Sequence, residues 1–463
     1  MSESRYMTSK VQELQAVIDG PEIWMIGEFV PVPEDHEPGR RRIHHGSALI
    51  LFLVATQIFG SHRAAARELD NPDHWNRYVA AFKARYAHRP ELWPALATPI
   101  RRCHYAWFKR CHISSQDWFV DRARAIARQA GVTHANNLGL CTAETAGSLT
   151  HPSPLNVIGA DGKVIKPRFN PRRLDRETGE LVGGRRRDPD ANYYKTGGMV
   201  EKAYGIKFVI ASTRGPAANQ RVILDVAHAP LEGGEAEHAI ALLDQLLPQT
   251  PHAQVVVYDG AFRGIHLQRL MTKHGIIALA RLHNSRGQRT LERHYGPATV
   301  RRPDGTTASV DLHLVDGAAH IKQLDEAGNV HLIALDRVKL TRRQLRNGTW
   351  TWYILLQVPS AAGGGTIRLR CDQAPGDDDR RFNRAEHLRM IPDRDPDWWT
   401  VMLRRTDSES GNRVLDDSFW RERAHSIGAR AQLFDLIGHM IQRNCRAEEI
   451  HRRRRADAAP LAA

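Results

Sequence analysis

Three acidic residues stand where carboxylates can do more than solvate a surface. Asp161 closes a short apolar run, in GADGKVI, and Asp259 follows directly on the apolar run QVVVY, in YDGAFRG. Glu409 lies in a helical stretch, residues 397–419, where Arg405, Glu409, Asn412 and Asp416 are spaced to share one face. The carboxyl end of a strand is where α/β sheets place functional groups. A carboxylate there is costly to bury without a cationic neighbour, and oxygen ligands suit magnesium or manganese. Three such groups converging could hold two divalent ions for phosphodiester chemistry. Each residue also has an ordinary reading: Asp161-Gly162 as a hairpin turn, Asp259 as a helix cap, and Glu409 as a solvated helix acid.

The elements that must position these residues read as a mixed α/β unit. Apolar runs at 155–165, 206–211, 221–227, 254–258 and 276–282 predict strands, and 235–247 and 266–274 predict helices. The 155–165 run divides into two short pieces around Asp161-Gly162. Three strands in succession suggest an antiparallel meander, and the strand–helix–strand units after them suggest parallel additions. Asp225, in RVILDVA, competes with Asp161 as the first acid; strand order favours Asp161. Period-two alternation at 310–315, 330–335 and 349–358 predicts a β-rich block. Trp350 and Trp352 share a strand face there, for core packing or for stacking on a base.

Residues 1–150 read as helical. Helices are expected at 47–59, capped by Ser47, at 62–69 and at 115–130. The first two permit either a DNA-binding helix-turn-helix or two packed helices. Arg124 and Arg128, four apart, make one face of the third basic. The expected divisions are a helical part at 1–150, a split α/β part at 151–288 and 380–450, a β-rich insertion at 289–379, and a basic tail at 451–463.

Composition narrows the partner. The chain has 463 residues and a formal charge of +14, which calls for a polyanion, nucleic acid or an anionic membrane. Its longest apolar run, at 47–59, is too short to span a bilayer as a helix, so nucleic acid is the better partner. Arg168, Arg172, Arg173, Arg185, Arg186 and Arg187 concentrate in one loop-like stretch, suited to phosphate contact or to plain solvation. Five scattered cysteines make no disulfide framework, so a reducing, cytoplasmic setting is expected. Cys103-His104 and Cys111-His112 lack the spacing of a zinc site.

With these residues in view, the chain resembles the insertion-sequence DDE transposases, of the retroviral-integrase-like superfamily. The likeness rests on the strand with Asp161-Gly162, the Asp259-Gly260-Ala261-Phe262 turn, and the helix from Arg405 through Glu409 to Arg413. The stretch from Arg423 to Gly428 and the closing helix to Asn444 also fit, and the likeness covers roughly residues 150–447. The β-rich block resembles the all-β insertion of one branch, whose helix pattern is Tyr-x2-Arg-x3-Glu-x6-Lys. This chain keeps Arg405 and Glu409, and has Met402 for the Tyr and Asp416 for the Lys. The resemblance implies a ribonuclease-H-like mixed sheet with flanking helices. It implies Asp161, Asp259 and Glu409 as catalytic residues holding two Mg2+ or Mn2+ ions. It further implies cutting and joining of double-stranded DNA at transposon ends and target, a DNA-induced homodimer, and a bacterial, nucleoid-associated location. Arg405, Asn412 and Arg413 would contact DNA beside the loop arginines. A transposase-derived DNA-binding protein without activity, or a metal-dependent nuclease without strand transfer, are the other readings.

Overall fold

The computed structural model describes Tyr6 and residues 8–30, 44–169, 173–174, 177–182, 187–196, 201–217, 219–281, 292–324, 328–419 and 421–458. Side chains at 117, 173, 174, 181, 182, 195, 196, 201, 202, 406–409 and 458 lie outside the description. The chain divides into two compact units, one of residues 1–138, 162–238 and 409–463, the other of 139–161 and 239–408. It is mixed α/β, with parallel and antiparallel strand pairs.

The first unit opens with seven helices: α1 (Lys10–Asp19), α2 (Glu22–Glu28), α3 (Gly46–Phe59), α4 (His62–Leu69), α5 (Pro72–Arg85), α6 (Arg102–Phe108) and α7 (Asp117–Asn137). The apolar run at 47–59 forms α3. It is apolar on every side and buried nearly throughout, as such a helix must be. Its cap is His45 and not the expected Ser47: the His45 Nδ1 accepts from the Ser47 N–H at 3.2 Å, and Ser47 already lies within the helix. Gly60, at φ 79°, ends α3 in the left-handed region, and Ser61 Oγ caps α4 by accepting from the Ala64 N–H. Among the described residues no single helix is long and apolar enough to cross a membrane.

These helices surround the long closing helix α12 (Ala429–Ala458), and one hydrophobic core joins α1 to α7 with α12 and the strands beside it. Those strands are the second half of β1 (Val157–Ile165), then β4 (Asn192–Thr196), β5 (Glu201–Arg214) and β6 (Arg221–His228). A small ribbon, β2 (Arg173–Leu174) with β3 (Leu181–Val182), precedes β4. β5 lies next to β1 and pairs antiparallel with β4 and with β6. On α12 the Asn444 side chain accepts from the Ile223 N–H and donates to the Ile223 carbonyl, both at 2.8 Å, holding β6 by its backbone.

Arg124 and Arg128 on α7 do not form an exposed basic face. They turn inward onto Asp225 of β6, which is fully buried. Arg124 grips it with two bonds, 2.8 and 2.7 Å, and Arg128 adds one at 3.2 Å. The cause is the desolvation that a carboxylate in a buried strand would otherwise suffer.

In the second unit β1 pairs parallel with β7 (Val255–Tyr258), and β7 pairs parallel with β8 (Ile277–Ala280), the parallel additions the strand–helix alternation predicts. The crossovers are α8 (Gly234–Leu246) and α9 (Gly264–His274). β1 is one unbroken strand, so Asp161-Gly162 is not a hairpin turn and the two-piece reading of this run is corrected. Seven antiparallel strands follow: β9 (Glu292–Arg301), β10 (Thr307–Val315), β11 (Ala318–Leu324), β12 (Val330–Ala334), β13 (Asp336–Gln344), β14 (Trp350–Gln357) and β15 (Thr366–Arg370). Their order in the sheet is β12-β11-β10-β9-β15-β14-β13. Trp352 is fully buried and its indole N–H donates to the Met271 carbonyl at 2.9 Å, so it packs this sheet onto α9. Trp350 lies against Gly275 and under Arg342.

After a short helix, α10 (Arg384–His387), the chain enters α11 (Pro396–Ser418), the helix that carries Glu409. Its start is braced by Arg337 of β13. That side chain is almost wholly buried, and it donates to Asp395 at 2.6 and 2.9 Å and to Asp397 at 2.6 Å. Burial alone would lower the guanidinium's pKa, but the two carboxylates outweigh it and hold the pKa above its ordinary value.

Candidate functional site

β1 and β7 run parallel with Val157 beside Val255, Ile158 beside Val256 and Gly159 beside Val257. Continuing that register by two residues brings Asp161 beside Asp259, the residue that follows β7. Neighbouring strands lie about 4.8 Å apart, and residues paired in register on parallel strands project to the same face. Asp161, midway along β1, therefore comes level with Asp259, just past the end of β7, and both are only partly buried. Asp259 holds the carboxyl-end position where open α/β sheets bind ligands.

The turn at Asp259 is rigidly built. Its carboxylate accepts from the Ala261 N–H at 2.8 Å, and its carbonyl from the Phe262 N–H at 3.3 Å. Phe262 is buried and stacks on Tyr258 with ring centroids 4.0 Å apart. Glu386 accepts from the Gly264 N–H and pairs with Arg263 at 3.6 Å, closing the start of α9.

Gly159 shares the Asp161 face of β1 by the two-residue period of a strand. A Cβ there would stand 3.0 Å from the Arg404 carbonyl of α11, so the helix backbone passes directly over this face. Arg404 Nε also donates to the Pro154 carbonyl at 3.2 Å. Glu409 follows Arg404 by five residues, about 7.5 Å along a helix at 1.5 Å per residue. The Glu409 backbone is helical and its side chain lies outside the described residues. In the first unit, Lys163 of β1 pairs with Asp416 of α11 at 2.6 Å. The sequence marks Asp416 as part of a polar helix face and as a departure from a lysine; its cation stands across from it, on the strand. Gly162, next to Lys163, lies against the end of the Glu235 side chain, whose carboxylate a Cβ there would displace.

Asp225 is placed on β6, which pairs with β5 and not with β7, and its oxygens are taken up by two arginines. Asp225 therefore lies away from β7, held by the arginines of α7. The predicted DNA-contacting residues distribute as follows. Arg168 is exposed and Arg187 is exposed, the latter close enough to Tyr204 to lower the phenol's pKa against the rise that burial causes. Arg172, Arg185 and Arg186 lie outside the described residues, as does the Arg173 side chain. Arg405 and Asn412 are partly buried on α11, and Arg413 is exposed.

Two groupings of three potential metal ligands occur among the described residues: Glu22, His134 and Cys445, and His294, Asp311 and His313. Neither includes Cys103, Cys111, His104 or His112. His104 instead bonds the His44 ring at 3.0 Å, and Cys103 is exposed. No family model, no curated protein and no solved structure matches the chain.

Proposed function

We propose that the protein is a DNA transposase of the DDE kind, cutting and joining phosphodiester bonds by in-line displacement. The observation that carries this reading is the parallel register of β1 with β7, which, continued by two residues, brings Asp161 of β1 level with Asp259 just past the end of β7. The strand succession β6-β5-β1-β7-β8 supports a ribonuclease-H-like core, with antiparallel strands on one side of β1 and parallel ones on the other. The β-rich sheet lies in sequence between the second acid and α11, as in the branch the sequence resembles.

Asp161 and Asp259 supply hard oxygen donors that fit magnesium or manganese, and Glu409 would be the third ligand. When bound there, two such ions would supply the acidity to activate a water or 3′-hydroxyl and the charge to stabilise the leaving oxygen. The residues of the chain do the positioning. The Ala261 N–H orients the Asp259 carboxylate, the buried Phe262 fixes its turn, and the Arg337 brace sets the entry angle of α11. Lys163 holds Asp416 and so ties α11 to β1. Arg405 would orient Glu409 or contact a phosphate, both suited to a guanidinium fork.

The test is nicking, in magnesium, of DNA that carries the sequences flanking the coding region, by wild type and by Asp259→Ala. Wild type should nick and the variant should not; full activity in the variant would sink the assignment. DNA binding without any metal-dependent cleavage would favour an inactive transposase relative. A pre-cut end that is never joined to target would favour a nuclease.

A further inference from the structure

A cavity of about 590 Å³ opens in the first unit, lined by the start of α4, by Arg102 of α6, by Arg168 and Phe169 after β1, and by Arg421, Arg423, Ala424 and His425. Five arginines line it: Arg63, Arg102, Arg168, Arg421 and Arg423. No carboxylate lines it among the described residues. The walls are tied together. The Ala424 N–H donates to the Lys166 carbonyl at 3.0 Å, and Arg423 Nη1 to the Pro167 carbonyl at 3.0 Å. Arg421 and Glu422 both take left-handed backbone, φ 52° and 59°, a conformation disfavoured for a non-glycine residue.

Two imidazoles complete the lining. The His62 and His425 rings lie 5.7 Å apart, and the Nε2 atom of each is buried with no hydrogen-bond partner. His425 is only 8% exposed. A buried polar atom without a partner is uncommon and calls for a ligand or water. Burial, then the charges of Lys109, His425, Arg168 and Arg102, push the His62 pKa down to about 3. The ring is therefore neutral, and the cavity carries a strongly positive potential. Guanidinium forks match phosphate oxygens in pairs. The volume lies in the range that encloses an organic ligand and exceeds what a bare phosphate fills, and Phe169 offers a ring face beside Arg168.

We propose that this cavity binds a nucleoside phosphate, its phosphate on the arginines and its base against Phe169 and the two imidazoles. The proposal stands on the cavity and not on the reading of Asp161 and Asp259. The nucleotide is either a unit of a DNA strand or a free one. The full-length protein is titrated calorimetrically in EDTA with dAMP, deoxyadenosine, inorganic phosphate and a short single-stranded oligonucleotide. dAMP should bind at least about tenfold more tightly than deoxyadenosine or phosphate, since a charge-assisted bond contributes about that factor or more. The Arg102→Gln/Arg168→Gln variant, with an unchanged melting temperature, should lose at least about tenfold for dAMP, and Arg102→Lys should recover part of it. A tighter oligonucleotide, weakened by the same variant, identifies the strand as source; equal affinity for dAMP identifies the free nucleotide. Deoxyadenosine or phosphate binding as well as dAMP, dAMP binding unchanged in the variant, or no binding of dAMP or oligonucleotide at millimolar concentration would each overturn the proposal. Asp259→Ala should bind dAMP like wild type, so failure of the catalytic reading leaves this result standing.

Discussion

Replacing Asp225 by Asn separates a structural acid from a catalytic one. In the folded protein the carboxylate is fully buried and meets three guanidinium N–H groups, two from Arg124 and one from Arg128. Both arginines are themselves mostly buried, at 16% and 13% side-chain exposure. The amide keeps the shape, loses the charge and turns one end into a donor facing donors. Each charge-assisted bond contributes about 1.5–3 kcal/mol, and a unit-charge attraction at 4 Å is about 4 kcal/mol at an effective dielectric of 20. The net loss on breaking one side of a buried pair is about 3–5 kcal/mol. Urea unfolding followed by tryptophan fluorescence and circular dichroism measures it. Changing Asp225, Arg124 and Arg128 together to apolar residues of similar size should recover most of the loss. A loss under about 1 kcal/mol for Asp225→Asn would refute the account, because it would mean that water reaches the cluster. So would abolished metal-dependent cleavage with unchanged stability, which would return Asp225 to the site.

Asp161→Asn should behave in the opposite way, with stability within about 0.5 kcal/mol of wild type and metal-dependent nicking lost; retained nicking would exclude Asp161 as the first acid. His134 lies between the carboxylates of Glu22 and Glu448. Burial lowers its pKa, but bonds to Cys445, Glu22 and Glu448 outweigh this and hold it up at about 12. A raised pKa means stability that is complete below the unfolded value of about 6.5 and is lost as pH climbs toward the folded value. Melting temperature should therefore fall between about pH 6 and about pH 9, and fall less in His134→Gln; equal slopes would refute the pairing. Changing Arg185, Arg186 and Arg187 to Ala should flatten the salt dependence of DNA binding by about 0.9 log unit for each phosphate they neutralise, and an unchanged slope would assign those residues to solvent.

What could be read along the chain was local. The all-apolar stretch at 47–59 could only be a buried helix, and QVVVY followed by Asp259 marked a strand ending in an acid. The antiparallel pairing of β5 with β6 and the parallel pairing of β7 with β8 followed from where helices intervene. What stayed hidden was distant pairing. Arg124 and Arg128 looked like a solvated face because their partner is about a hundred residues away in β6. Asp161-Gly162 carries a turn signal, yet β1 runs straight through it because neighbouring strands on both sides satisfy its backbone. The glycine serves close packing against Glu235 instead. Lys163 and Asp416 were both visible, but nothing local couples a strand lysine to a helix acid 253 positions on. The basic cavity draws residues from four separate stretches, and Arg63 and Arg102 carried no signal of it.

The grip of Asn444 on Ile223 bears on how the protein stays monodisperse while it folds. β6 pairs with β5 alone among the described strands, so its outer rim is an edge. An edge with open N–H and C=O groups is a template on which another chain can add a strand. One amide side chain occupies a donor and an acceptor on that rim, in the geometry a neighbouring strand would use. α12 thus acts as a stopper on the sheet. Without that amide the edge is open, so Asn444→Leu should leave a folded protein that aggregates during refolding more than it loses stability.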